Sequence, residues 1–345
     1  MTTHEDDSYL WDGTGEPDPA VVRLERLLEP LRQQSVLGPL PPRARRPLRL
    51  PASAIGRLST AAVLILVAAA IWFAFARAQR AWSGWAVQTL TGAPLIDRGK
   101  PGVPQASARR LATGEWLVTD GLSRARISVG RIGRVDVEPN TRLQRVDAGS
   151  REQHMSLARG TIHARIWAPP RLFFVQTPSA LAVDLGCEYT LQVDDGGAGL
   201  LRVTSGWVGF EGGGRAVYIP EGAVGATRPG VGPGTPYYDD APSGYGEALS
   251  VLDFADSRDP RRGAALDLIL SSARRRDALT LWHLLSRGSA AERARVFDRL
   301  AELAPPPRGV TRGDVLAGNR RALEQWWDSL GINNSTWWKL WKKKM

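Results

Sequence analysis

Side chains able to do chemistry are few and scattered. The chain holds four histidines, His4, His154, His163 and His283, and one cysteine, Cys187. No two histidines stand at metal-ligand spacing on a recognisable motif, and a single cysteine excludes an intramolecular disulfide and any multi-cysteine zinc site. A G-x-S-x-G elbow, a P-loop and a dinucleotide-type glycine loop are all absent from the sequence. Cys187 falls in phase with apolar neighbours, which marks it as a small core hydrophobe rather than a nucleophile. The residues argue against an enzyme, so no catalytic residue, metal or cofactor is expected. What remains is recognition.

The net charge of +10 invites a nucleic-acid reading, but its distribution does not support one. Much of the excess sits beside one apolar stretch and in the closing Lys342-Lys343-Lys344, with no recognition-helix signature. That stretch, Leu58 to Ala76, carries no charged residue. As a helix it would span roughly 28 Å, matching a bilayer core of about 30 Å. It begins too far from Met1, and runs too long, for a cleaved signal peptide. A single-pass anchor is expected, with the lipid bilayer as first partner. Arg43, Arg45, Arg46, Arg49 and Arg57 crowd its N-terminal flank, and Trp72, Trp82 and Trp85 lie at or beyond its far end. Positive charge resists translocation and indoles prefer the interface, so residues 1–57 are expected inside and 77–345 outside the cytoplasm.

Within the tail, Glu5, Asp6, Asp7, Asp12, Glu16 and Asp18 surround an isolated Tyr9-Leu10-Trp11. Asp18 as N-cap and Pro19 at the first position open a helix expected over about 19–33. Its apolar stripe is Val21, Leu24, Leu27, Leu28 and Leu31, followed by a Pro- and Arg-rich linker. Such a helix is marginal alone: it either frays in a disordered tail or docks on another copy, the membrane surface or a second protein. Tyr9, Trp11, Leu24, Leu27, Leu28 and Leu31 are the candidate partner-binding residues.

Beyond the anchor, residues 77–112 read as a tether. From about 113 to 229 the apolar period becomes two: Ala125, Ile127 and Val129, then Val135 and Val137, then Leu181, Val183, Leu185, Cys187, Tyr189, Leu191 and Val193. The last run is a half-buried strand, or two joined by a bend near Gly186, whose register puts Val183 in the core and Asp184 toward solvent. Short strands cut by Gly and Pro indicate an all-β sandwich, barrel or solenoid. Residues 230–244 form a Gly/Pro linker, and 245–345 turn helical. Ala278, Leu281, Trp282 and Leu285 make one stripe, Ser289 and Glu292 a capping box, and Leu323, Trp326 and Trp327 the apolar side of a further helix. These helices form either a small HEAT- or tetratricopeptide-like array or a bundle capping the β domain. The closing Trp337, Trp338, Leu340 and Trp341, with their lysines, either complete that helical core or meet a membrane surface.

The β-region carries Arg126-Ile-Ser-Val, Val135-Asp-Val-Glu-Pro-Asn-Thr-Arg-Leu143, Leu157-Ala-Arg-Gly160, Phe174-Val-Gln-Thr-Pro178, Val183-Asp-Leu-Gly186, Val203-Thr-Ser-Gly206 and Ile219-Pro-Glu-Gly222. In this order and spacing, Gly114 to about Pro229 resembles the FecR domain of bacterial inner-membrane regulators of extracytoplasmic-function sigma factors. The resemblance implies a β-solenoid-like or sandwich-like periplasmic domain on a single-pass inner-membrane protein. Its implied partners are a sigma factor on the cytoplasmic side and an envelope protein or ligand outside. Two departures stand out: Gly186-Cys187 replaces the usual Gly-Thr, and residues 1–57 lack the larger helical sigma-binding segment. The competing expectation is a membrane-anchored envelope scaffold without a transcriptional role.

The charge asymmetry is tested with topology reporters. One active only outside the cytoplasm should work fused after Met345 and fail fused before Met1. The reverse pattern refutes the orientation.

Overall fold

The computed structural model describes residues 19–29, 84–97, 106–107, 110–146 and 152–332. The chain divides into two compact units, residues 1–69 and 70–345. In the first, helix α1 spans Pro19–Leu28. Residues 30–33 of the expected helix lie outside the described residues. Tyr9, Trp11 and Leu31 lie outside the described residues, as does the expected span Leu58–Ala76. Among the described residues no helix is long and apolar enough to cross a membrane.

The second unit opens with β1 (Trp85–Thr91), β2 (Leu95–Asp97), β3 (Ala106–Ser107), β4 (Arg110–Leu111), β5 (Trp116–Val118), β6 (Arg124–Val129), β7 (Gly133–Val137), β8 (Arg142–Val146) and β9 (Gln153–Ile166). It continues with β10 (Phe173–Gln176), β11 (Leu181–Asp184), β12 (Glu188–Val193), β13 (Gly199–Ser205), β14 (Trp207–Gly212), β15 (Arg215–Pro220), β16 (Ala223–Arg228), β17 (Gly232–Pro233) and β18 (Tyr237–Tyr238). One sheet runs β4-β1-β6-β7-β9-β12-β13-β16, with β17 and β18 both on the far side of β16. The other runs β3-β2-β5-β8-β9-β10-β11-β14-β15. Only the β9–β10 pairing is parallel among these ladders.

β9 belongs to both sheets. Its first half pairs with β8 and β10, its second with β7 and β12. The buried residues change parity on the way: Met155 and Leu157 point inward before Gly160, Ile162, Ala164 and Ile166 after it. The β8–β9 register shifts between Leu157 and Arg159, leaving Ala158 without a partner on β8 and reversing the parity. Just beyond it Gly160 sits at φ +97, where a Cβ would lie 2.4 Å from the Thr141 Cα. Both sheets then close on one core, including Ile127, Val135 and Leu191 from one and Leu117, Leu143 and Phe210 from the other. Of the expected architectures this is sandwich-like, not a solenoid.

Helices follow: α2 (Tyr245–Phe254), α3 (Arg262–Ser272), a 3-10 turn (Arg275–Asp277), α4 (Ala278–Leu284), α5 (Ala290–Leu303), α6 (Arg312–Leu316) and α7 (Arg320–Ser329). The Ser289/Glu292 capping box forms as the sequence indicates, with the Ser289 amide donating to Glu292 at 2.6 Å. Asn319 caps α7, which buries Trp326 against Phe297 at 5.2 Å. These helices cap the β domain: Leu279 of α4 and Trp327 of α7 are continuous with its core. The tail expectation for Trp337 to Trp341 falls outside the described residues.

Three sequence expectations change. Part of the supposed tether forms β1 to β4, and β1 pairs with β6 in mid-sheet. The supposed linker 230–244 contributes β17 and β18, two-residue pairings that its prolines keep short. Of the two readings of the run 181–193, the structure shows two strands, bent apart at Gly186 with φ +85, and places them in different sheets. In β11 alternation fails, because both faces are covered: Ala182 enters the main core, while Val183 joins Phe174 and Leu185 in a second cluster under Trp207 and Tyr218. Asp184, expected in solvent, is buried.

The close approach of Gly160 to Thr141, next to that register shift, makes a test. Gly160→Ala should cost more than roughly 3 kcal/mol, combining strain with a backbone clash. Gly130→Ala, at φ +53 with no atom within 4 Å of the new Cβ, should cost about 1–2 kcal/mol. Chemical denaturation compares the two, and equal losses would refute the assigned role.

Candidate functional site

On α1, Leu24, Leu27 and Leu28 are 61%, 69% and 51% exposed, and no residue of the helix is buried. A formed helix therefore presents three leucines side by side, spaced so that all lie on adjoining turns of one face. Arg23, Glu25 and Arg26 lie between and beside them, and Val21 and Val22 are half-buried. Burying those leucines against a groove would contribute several kcal/mol. This is the arrangement of a helix-in-groove ligand.

The histidines do not converge. His163 bonds Thr190 at 2.8 Å and approaches Glu138 at 3.4 Å, within an exposed ladder of Arg126–Asp136, Arg124–Glu138 and Arg165–Glu188 pairs. Arg126 draws the Asp136 carboxyl below its ordinary range, as Arg165 does for Glu188. His154 bonds Glu152 and stacks on Phe174. Among the described residues no cluster of His, Cys, Asp or Glu is suited to a metal ion.

His283 is structural. It is buried in α4, its Nδ1 facing the Leu279 carbonyl at 2.8 Å, while the Tyr218 amide points at Nε2 from 3.5 Å. That pairing fixes the neutral tautomer, and burial lowers its pKa from 6.5 to about 3. It gives an edge-strand amide of β15 a partner. Trp282 and Trp327 flank it, their rings 4.6 Å apart. A second lock is Asp253, which accepts from the Thr235 amide at 2.6 Å and hydroxyl at 2.9 Å and pairs with Arg287. Removing one member of such a buried pair strands the other charge, so the lock holds the helices to the β17–β18 segment.

Asp184 and Cys187 meet across the β11–β12 turn. The Cys187 thiol donates to Asp184 Oδ2 at 2.7 Å, and the Gly186 amide donates to Oδ1 at the same distance. Burial raises the Asp184 pKa from 3.8 to about 7, outweighing those two bonds. Burial also pushes the Cys187 thiol well up, with the neighbouring Asp184 adding to it. A thiol held protonated is a poor nucleophile, in keeping with its place in the core. Leu181, half-buried, and Val183, Leu185, Tyr189, Leu191 and Val193, all buried, are packing residues too. Nothing in the alternation pattern signalled the buried carboxylate or the edge-capping histidine.

Residues 116–209 match the family model described as FecR protein. No curated protein matches the chain. Two crystal structures of a candidate anti-sigma factor from Parabacteroides distasonis are similar at 12% and 14% identity, with TM-scores of 0.32 and 0.31. The first similarity covers 39% of this chain and 63% of the other; the second covers 38% and 61%. The chain thus spans less than two thirds of those proteins, and the scores are too low to carry an argument.

The two buried groups set opposite pH dependences. Asp184, raised to about 7, holds its proton where the unfolded chain has lost it, so its contribution is full below about 3.8 and lost as pH climbs through 7. His283, lowered to about 3, contributes fully above about 6.5 and less as pH falls through 3. Asp184→Asn should therefore gain stability relative to wild type as pH rises from about 4 to 6.5, and His283→Gln should lose it over the same range. Denaturation at several pH values checks this; parallel curves for all three proteins would contradict the burial argument.

Proposed function

The chain carries a FecR domain, and we propose that it works as a membrane-anchored signalling regulator. In this reading the FecR domain and its helical cap lie outside the cytoplasm and respond to an envelope protein or ligand. The tail holds or releases a sigma factor inside. The FecR match over residues 116–209 and the apolar stretch Leu58–Ala76 support the layout. The observation that carries the partner role is the leucine face of α1, formed yet exposed at Leu24, Leu27 and Leu28. Signalling then requires the outer event to favour one of two tail states, since an event indifferent to both transmits nothing. No step calls for a catalytic group.

The test is co-purification of the full chain, in detergent, from its own cells. Wild type should retain a sigma factor, and Leu24→Asp combined with Leu28→Asp should lose it. Thermal unfolding of the β domain should stay unchanged, because the two leucines are exposed. If wild type retains no sigma factor, the envelope-scaffold reading takes its place.

A further inference from the structure

We propose that the end of the β domain at which the chain arrives from Leu58–Ala76 is a lipid-headgroup contact surface centred on Trp167 and Arg131. The inference rests on reading Leu58–Ala76 as a membrane span. β1 starts at Trp85, and its Ala86 pairs with Ser128 near the end of β6. β7 restarts at Gly133, which pairs with Ile166 at the end of β9. Gly84, the turn 130–132 and Trp167 therefore share one end of the sheet. Trp167 stands three strand spacings from β1, about 15 Å. Only residues 77–83 separate Ala76 from Gly84, a reach of at most about 28 Å when fully extended. The covalent connection keeps this end of the domain close to the bilayer, where even a weak contact is populated.

The surface there has the chemistry for that contact. Trp167 is 61% exposed, yet held in place: its Nε1 donates to the Arg131 carbonyl and its amide to the Ile132 carbonyl, each at 3.0 Å. An indole fixed in solvent forgoes apolar burial, and its amphipathic ring suits headgroup depth. Arg131 is exposed beside it, and none of the described ion pairs involves its guanidinium, whereas Arg124, Arg126 and Arg165 are each paired with a carboxylate. An unpaired guanidinium complements anionic phosphate. Pro169 extends the exposed ridge. Such a contact would orient the domain, leaving the opposite end, with the 194–198 turn, facing away from the membrane.

The full chain, reconstituted in vesicles, tests the assignment. A fluorescent label is placed on Pro169→Cys or, at the far end, on Asp195→Cys; Cys187 is buried and stays unlabelled. Lipids spin-labelled at the headgroup serve as quencher. The Pro169 label should be quenched and the Asp195 label spared, with stronger quenching when phosphatidylglycerol is added to phosphatidylcholine. Trp167→Ser with Arg131→Ser should abolish most of the quenching at Pro169 while leaving thermal unfolding unchanged. Equal quenching at both ends, or no change in the double variant, overturns the proposal. Loss of the chain from vesicles on alkaline extraction overturns the span itself, and the proposal with it. Retention with equal quenching would leave the span standing alone.

Discussion

One strand has to serve two sheets. β9 is fourteen residues long, pairs with four neighbours, and turns its buried side over at the register shift around Ala158, just before Gly160. Without the register shift at Ala158, either Met155 and Leu157 or Ile162 and Ala164 would face solvent. A register error in either half would do the same, since a one-residue slip exchanges the faces of a strand. The two sheets consequently share a single core.

The second constraint lies on the outer side of the sheet that ends at β15. β10, β11 and β14 bring Phe174, Val183, Leu185 and Trp207 to that side, and an uncovered edge there would be open to pairing with another chain. The C-terminal helices meet both needs. Trp327, with Leu185, Trp207 and Tyr218, lines a narrow cavity over the apolar cluster, and His283 faces the Tyr218 amide. The Asp253–Arg287–Thr235 group and the Arg274–Asp240 pair fasten the helices from the other direction. The cap is thus part of the β domain's structure, not an appended array.

The β domain is closely packed, whereas no residue of α1 is buried. Where polar groups are buried in the domain they are mostly satisfied: Asp184 by Cys187 and Gly186, Asp253 by Thr235 and Arg287. The replacement of the usual Gly-Thr by Gly186-Cys187 leaves a donor to Asp184 in place, since a thiol can give the bond a hydroxyl would.

Alternation was enough to find Ala125–Val129, Val135–Val137 and Tyr189–Val193, because each of these segments faces the core on one side only. Local rules likewise placed the Ser289 capping box, whose partner lies three residues on. They also marked the tryptophans as the apolar side of α7, although Phe297 and Trp282, which they meet, are distant in the chain. The ordered motifs from Arg126 to Gly206 carried the FecR resemblance, and residues 116–209 bear it out. Other features depended on partners distant in the chain. β1 alternates only at Trp85 and Val87, and belongs to the sheet because β6 lies beside it about forty residues later. The 232–238 segment reads as linker until β16 pairs with it. Asp184 is polar at a position where period two predicts solvent; it is buried because β11 is covered on both faces, its outer cluster under Trp207 and Tyr218. Burial of one face follows from a strand's own pattern, whereas burial of both is decided by whatever packs on the second.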